Sequence, residues 1–197
     1  MTVAAAGRYP RTITGEAGDL ELRYMTAADE AAVLAFARAL PDHDLLFLPR
    51  DIAQPKVLAA WIAEIERGAL TTLLAVRNGI LVGCATIARE EFSWSAHVGE
   101  IRVIVAAEVR GKGIGRLLIE ETFRIALRLG LEKLIAQMTV DQRGAIAVFE
   151  SMGFRGEALL RDHVKDRGAI KHDLVILSHD VARFQSQMQA YGLSEAR

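Results

Sequence analysis

Between Val98 and Gly115 the chain changes its hydrophobic period once, and that change narrows the folds open to it. Val98-Gly99-Glu100-Ile101-Arg102-Val103-Ile104-Val105 is rich in β-branched side chains and reads as a strand. From Ile114 onward the spacing is helical. Ile114, Leu118, Ile119, Ile125, Ala126 and Leu129 form one apolar stripe, and Arg116, Glu120, Glu121, Arg124 and Arg128 are expected to face away from it. Gly130 ends that helix after about four turns. Strand and helix are joined by Arg110-Gly111-Lys112-Gly113-Ile114-Gly115, with glycines at alternate positions.

Such a junction has a chemical consequence. The first amides of a helix lack internal partners and carry the positive end of its dipole, so they attract anions. Glycines let the backbone turn and approach a ligand closely, and Arg110 and Lys112 add positive charge beside them. The loop is suited to a pyrophosphate.

Spacing separates the phosphate loops. A Walker loop needs four residues between its first glycine and Gly-Lys-Ser/Thr, whereas here the glycines are closer and Arg116 follows Gly115. A dinucleotide fold places G-x-G-x-x-G after the first strand of a βαβ unit, and this chain has G-x-G-x-G deep in its length. The pattern R-x-x-G-x-G/A fits at Arg110, Gly113 and Gly115. On these residues the chain resembles the GNAT superfamily of acyl-CoA N-acyltransferases. A second segment, Ala145-Ile146-Ala147-Val148-Phe149-Glu150-Ser151-Met152-Gly153-Phe154, is similar to that family's A-I-x-L-Y-E-x-x-G-F stretch. The resemblance covers roughly Leu20 to Asp180.

The remaining elements fall in an order that agrees with it. Residues 1–18 carry Gly7, Pro10, Gly15 and Gly18 without periodicity and are expected to be a flexible arm. Leu20 to Met25 reads as a strand, and Thr26 with Asp29 as a capping box for a helix to about Leu40. Pro41 to Asp44 breaks that helix, Leu45 to Leu48 is expected in a loop, and Pro55 opens a second helix whose Trp61 reads as core. Asn78-Gly79 joins a hairpin of Thr71 to Val76 with Ile80 to Ala88. After the long helix come a strand (Lys133 to Met138), a short helix (Gly144 to Ser151) and two strands (Phe154 to Leu160, Lys171 to Ser178) around a polar turn at Asp162 to Gly168. Residues 181–197 are expected to be a tail with a short helix carrying Phe184 and Met188. The expected fold is a single-domain, three-layer α/β, GNAT-like fold over residues 19–180, its mixed, mostly antiparallel sheet flanked by helices.

Composition excludes several classes. The chain has 197 residues, enough for one domain with a sizeable core. Lys plus Arg number 24 and Asp plus Glu 25, with no basic block, so neither nucleic acid nor a membrane surface is an expected partner. One cysteine, Cys84, forbids an intrachain disulfide and reads as a buried structural thiol. No apolar run has membrane-spanning length, and Met1 to Gly7 does not read as a signal peptide, so a cytoplasmic location is expected. The five histidines (His43, His97, His163, His172, His179) show no metal-ligand spacing, and no metal is expected.

The resemblance implies acetyl-CoA as co-substrate, with no other cofactor. It places the pyrophosphate on Arg110, Gly111, Lys112, Gly113, Ile114, Gly115 and Arg116, and the pantetheine arm along Val103, Ile104 and Val105. Glu100 matches the position of the general base, and desolvation in an apolar strand is expected to raise its pKa towards the useful range. The competing reading of Glu100 is a sheet-edge carboxylate paired with Arg102 or Arg23. Two positions depart from the family pattern. Phe149 stands where many members have a proton-donating tyrosine, and Gln142 where many have an asparagine; both are expected at the cofactor. Gln137 sits where peptide-amine members often have a glutamate, and Tyr24 and Tyr191 are candidate substitute acids.

The implied activity is transfer of an acetyl group to a primary amine. Asp42, Asp44, Asp51, Glu90 and Glu91 lean the acceptor towards a cation, and Glu100 towards a protein or peptide lysine. The alternatives are a small amine such as a polyamine or aminoglycoside, or a non-catalytic acyl-CoA-binding regulatory module of the same fold. Oligomeric state is not legible in the sequence.

Overall fold

Asn78 and Gly79 both adopt positive φ (51° and 77°), as a two-residue hairpin turn of this hand requires. They join β3 (Leu70–Arg77) to β4 (Ile80–Ala88) at the centre of the sheet. The computed structural model describes residues 9–16, 18–45, 50–166 and 168–181. Around that hairpin lie β1 (Arg11–Gly15), β2 (Gly18–Tyr24), β5 (Val98–Val105), β6 (Lys133–Thr139), β7 (Arg155–Lys165) and β8 (Lys171–Asp180). They form one eight-stranded sheet in the order β1-β2-β3-β4-β5-β6-β8-β7. Its one parallel pair is β5 with β6; the other neighbours run antiparallel.

Helices cover both faces. Along β4 residues of opposite parity point to opposite sides. Gly83 lies against Leu118 of α4 (Ile114–Arg128), where an added Cβ would meet the leucine at 3.2 Å. Thr86 points the other way, sharing a 3.0 Å hydroxyl contact with Thr72, which accepts the indole N–H of Trp61 at 3.1 Å. Trp61 belongs to α3 (Pro55–Glu66), so α3 and α4 sandwich the sheet. Trp61 is buried, as expected of a core residue. The remaining α-helices among the described elements are α1 (Glu30–Ala39), the single-turn α2 (Asp42–Leu45) and α5 (Arg143–Ser151). The capping box at Thr26 and Asp29 forms, with Asp29 held in a two-point contact with Arg23 at 2.9 and 2.6 Å.

Four sequence readings are corrected. Residues 11–15 are not a loose arm: Arg11–Gly15 pairs along its length with β2. The turn expected at Asp162 to Gly168 starts later, because β7 runs on to Lys165, its register with β8 shifting between Leu160 and Val164. The chain after Pro41 is not all loop, since Asp42–Leu45 makes a helical turn. Glu121 does not face solvent from α4; it is wholly buried, bonded by Tyr9, Arg11 and Arg124. Arg11 belongs to the strand that the sequence reading missed, and Tyr9 lies two residues before it. The tail expected at residues 181–197, with Phe184, Met188 and Tyr191, lies almost entirely outside the described residues, as do Leu46 to Pro49.

Candidate active site

β5 and β6 start as neighbours and then part. Their pairing runs from Val98–Lys133 to Glu100–Ile135 and ends there. Beyond that point β5 stays with β4 up to Val105, while β6 stays with β8 up to Thr139. The opening is a cavity of about 770 Å³, walled by Val103, Ile104 and Val105 on one side and Ala136, Gln137 and Met138 on the other. Its floor is the glycine loop and the start of α4; its far wall is the start of α5.

The loop is shaped by backbone conformation more than by crowding. Gly111 and Gly113 have φ of 74° and 76°, where side chains are strained, yet nothing lies within 4 Å of an added Cβ at either. Gly113 is the N-cap of α4, and Leu117 N–H makes the bond to its carbonyl at 3.0 Å. The amides of Ile114, Gly115 and Arg116 therefore precede the first closed helical turn and are available to an anion. Arg110, Gly111, Gly113, Ile114, Gly115 and Arg116 all line the cavity; Lys112 stands exposed between its glycines and does not. Arg110 has a structural task as well: its guanidinium donates to Val105 O at 3.2 and 3.1 Å and to the carboxylate of Asp44 in α2.

The second expected cluster converges on the same space. Gln142 caps α5 and lines the cavity with its Oε1 buried and unpartnered, a polar group awaiting a donor. Phe149 is buried at the wall, edge-on to Phe154 at 4.9 Å. Arg143 and Gly144 at the start of α5 also line it; sequence reading passed over them, although a basic residue at a helix start after Gln142 was a visible signal. Tyr24 is not a substitute acid at this cavity. Its hydroxyl accepts from Arg128 at 3.3 Å and its ring packs against Tyr9.

Glu100 faces a different space. With Trp61, Thr86, Arg89, Glu91 and Phe92 it lines a cleft of about 1110 Å³ on the α3 side of the sheet. Arg102 lines both this cleft and the cavity, so the two meet at Arg102, where β5 and β6 part. The carboxylate of Glu100 is not in the apolar surroundings expected of it, since Arg102 pairs with it. Arg102 Nε donates to Oε1 at 2.9 Å and Nη2 to Oε2 at 3.1 Å. Arg23, the other partner considered, is engaged with Asp29.

Of the acidic residues behind the cationic lean, Glu90 and Glu91 line the cleft of Glu100, whereas Asp44 and Asp51 are engaged elsewhere. Asp44 is bonded to Arg110 at the cavity, Asp51 accepts from Ala53 N–H at the approach to α3, and Glu91 lies 3.9 Å from Arg89. Asp42 has no described side chain. Cys84 is buried, and burial pushes its thiol up to about 12, which suits an inert structural residue. Among the described residues no group of three potential ligands could hold a metal, and no helix is long and apolar enough to cross a membrane.

Comparison with known proteins decides the family. The model of the acetyltransferase (GNAT) family matches residues 39–154, which include β5, the glycine loop and α5. The chain belongs to the GNAT acetyltransferase family. The ribosomal-protein-alanine N-acetyltransferase from Brucella melitensis is 26% identical, with a TM-score of 0.70 over 81% of this chain and 98% of that one. The yncA protein from Salmonella typhimurium, an acetyltransferase by provisional name, was solved with its cofactor acetyl-CoA. It shares the fold at a TM-score of 0.70 and 21% identity, over 82% of this chain and 94% of that one. YwnH from Bacillus subtilis strain 168, provisionally named a phosphinothricin acetyltransferase, is 30% identical over 83 residues, 42% of this chain. The match spans about half the length of that curated relative (50%). The co-substrate typical of GNAT acetyltransferases, acetyl-CoA, fits the cavity by its glycine cradle, its free helix-start amides and the orphaned Gln142 oxygen.

Proposed function

We propose that the chain is an N-acetyltransferase that moves an acetyl group from acetyl-CoA to a primary amine docked in the cleft of Glu100. One observation carries the reading: the cavity suited to acetyl-CoA and the cleft holding the carboxylate meet where β5 and β6 part. Acetyl-CoA supplies an activated carbonyl in its thioester. The loop amides and the Gly113 turn hold the pyrophosphate, Val103 to Val105 line the pantetheine arm, and Gln142 and Phe149 close the α5 side.

The chemistry needs a neutral amine, a stabilised carbonyl oxygen and a departing sulfur. Glu100 takes a proton from the ammonium form of the acceptor; the neutral amine then attacks the carbonyl, and the nitrogen gives up its second proton to solvent as the amide forms. The carbonyl–sulfur bond breaks with its electron pair on sulfur. Phe149 has no proton to give, so the thiolate leaves unassisted by this residue and is protonated by solvent. The named acceptors of the similar proteins, a ribosomal-protein alanine and phosphinothricin, differ in chemistry, so the acceptor must be read from this cleft. A protein or peptide lysine meets the requirement for a primary amine, but the cleft offers it no acidic excess: Arg50 pairs with Glu64 at 3.0 Å, Arg89 neighbours Glu91, and Arg102 holds Glu100.

Free-thiol release from acetyl-CoA across a panel of primary amines tests the proposal. Amine-dependent release supports it. Release with none of them, in a protein that binds acetyl-CoA, would favour the non-catalytic binding module instead.

A further inference from the structure

Glu100 and Arg102 lie two residues apart on β5, so both side chains stand on the α3 face. Their bidentate contact leaves 23% and 22% of the two side chains exposed to the cleft. A bare cationic amine that reaches Glu100 must seat on the remaining lone pairs of a carboxylate already shared with Arg102. The guanidinium, of the same sign as the amine, opposes it there. An acceptor that brings its own anion offsets that repulsion. Arg102 meets Glu100 through Nε and Nη2, so its Nη1–Nη2 edge can take a carboxylate in a two-point contact while the amine donates to Glu100. The rest of the cleft is charge-balanced, so no surplus field draws a polycation.

We propose that the acceptor is an α-amino acid, seated with its carboxylate on Arg102 and its amine on Glu100, so that Arg102 sets acceptor specificity. The proposal rests on reading this cleft as the acceptor site. Because Arg102 also lines the cavity, the same contact brings the amine to the mouth of the acetyl-CoA pocket.

The test compares free L-amino acids with their α-carboxamides, pairing identical side chains, in thiol release from acetyl-CoA. The amides carry more neutral amine at pH 7.5, so a preference for the acids cannot come from proton supply. For the best side chain we expect kcat/KM to favour the acid by about 10- to 100-fold, the worth of a charged hydrogen-bond pair. In Arg102→Gln that ratio should collapse to within a few-fold of one, through KM, and Arg102→Lys should restore part of it. Amides or spermidine used as well as the acids, or a preference that survives Arg102→Gln, would overturn the proposal. Calorimetric titration of the coenzyme A complex with N-acetyl amino acids and their amides separates the two readings. Acid-selective binding lost in Arg102→Gln, without turnover of any amine, upholds the recognition and refutes the catalytic reading. Turnover of other amines without acid-selective binding refutes the recognition alone.

Discussion

Single residues carry the chemistry, and the loop shows why residue identity and residue geometry have to be separated. Gly113 needs its positive φ, so a side chain there disturbs the backbone as well as the ligand. Gly115 does not: an added Cβ would rest 3.7 Å from Val105 Cγ2, an ordinary contact. Gly115→Asp therefore should fold with unchanged melting temperature, since a carboxylate in the first helical turn is favourable. It should nevertheless lose coenzyme A affinity by about 100-fold or more, because the same carboxylate opposes the pyrophosphate at the helix start. Calorimetry on the folded variant checks this; undiminished affinity removes the loop from the binding site. Phe149→Tyr puts a hydroxyl at the cavity wall, and turnover is expected to change by less than about tenfold if solvent already serves the leaving sulfur. A severe loss of coenzyme A affinity in that variant would mark Phe149 as a packing residue. The loop was legible through its glycine spacing, and Phe149 through the resemblance of residues 145–154 to the family motif. The sequence left Glu100 open between two readings, because an ion pair two residues apart on a strand looks the same on paper as two unrelated solvated charges.

At the scale of elements, the most periodic segments were legible and the short, charged ones were not. β5, α4 and the β3–β4 hairpin followed from the Val/Ile run, the apolar stripe and Asn78-Gly79. β1 escaped because its five residues offer little alternation between flanking glycines. Glu121 misled for a related reason. Its partners Tyr9 and Arg11 lie 112 and 110 residues away, so helical spacing gave no sign that this charge is buried. The cluster fastens β1 to α4, the helix whose first turn lines the cavity, and it raises the Tyr9 phenol well above its usual range through burial and the Glu121 carboxylate. Arg11→Met is expected to cost about 1.5–3 kcal/mol of stability, since a charged hydrogen bond to a fully buried carboxylate is lost. Urea unfolding of the variant measures it, and a change below about 0.5 kcal/mol, the usual effect of a surface substitution, would mean that Arg124 and Tyr9 satisfy Glu121 alone.

Across the whole molecule, stability and activity draw on different groups, which lets them be read separately. His179 lies among Phe123 and Phe154, with ring centroids at 4.7 and 5.4 Å, and burial lowers its pKa from the usual 6.5. The unfolded chain then binds the proton more readily. Stability is full above about pH 6.5, the unfolded value, and declines as the pH falls until it passes the lower folded value. Asp29 adds a second loss at lower pH: Arg23 holds its carboxyl below the usual range, so that contribution is present above about pH 4 and fades as the carboxyl is protonated. His179→Gln should flatten the melting-temperature profile between pH 7 and 5, and an unchanged slope there would assign the loss elsewhere. Neither group lines the cavity or the cleft. The central claim, that acetyl transfer takes place where these two spaces meet, rests instead on Glu100. Turnover of Glu100→Gln with saturating acetyl-CoA and acceptor tests it most directly. A loss of about 10²- to 10⁴-fold is expected with acetyl-CoA affinity retained, the usual contribution of a general base. A folded variant that keeps more than about a tenth of the parent rate, less than any general base supplies, would contradict it.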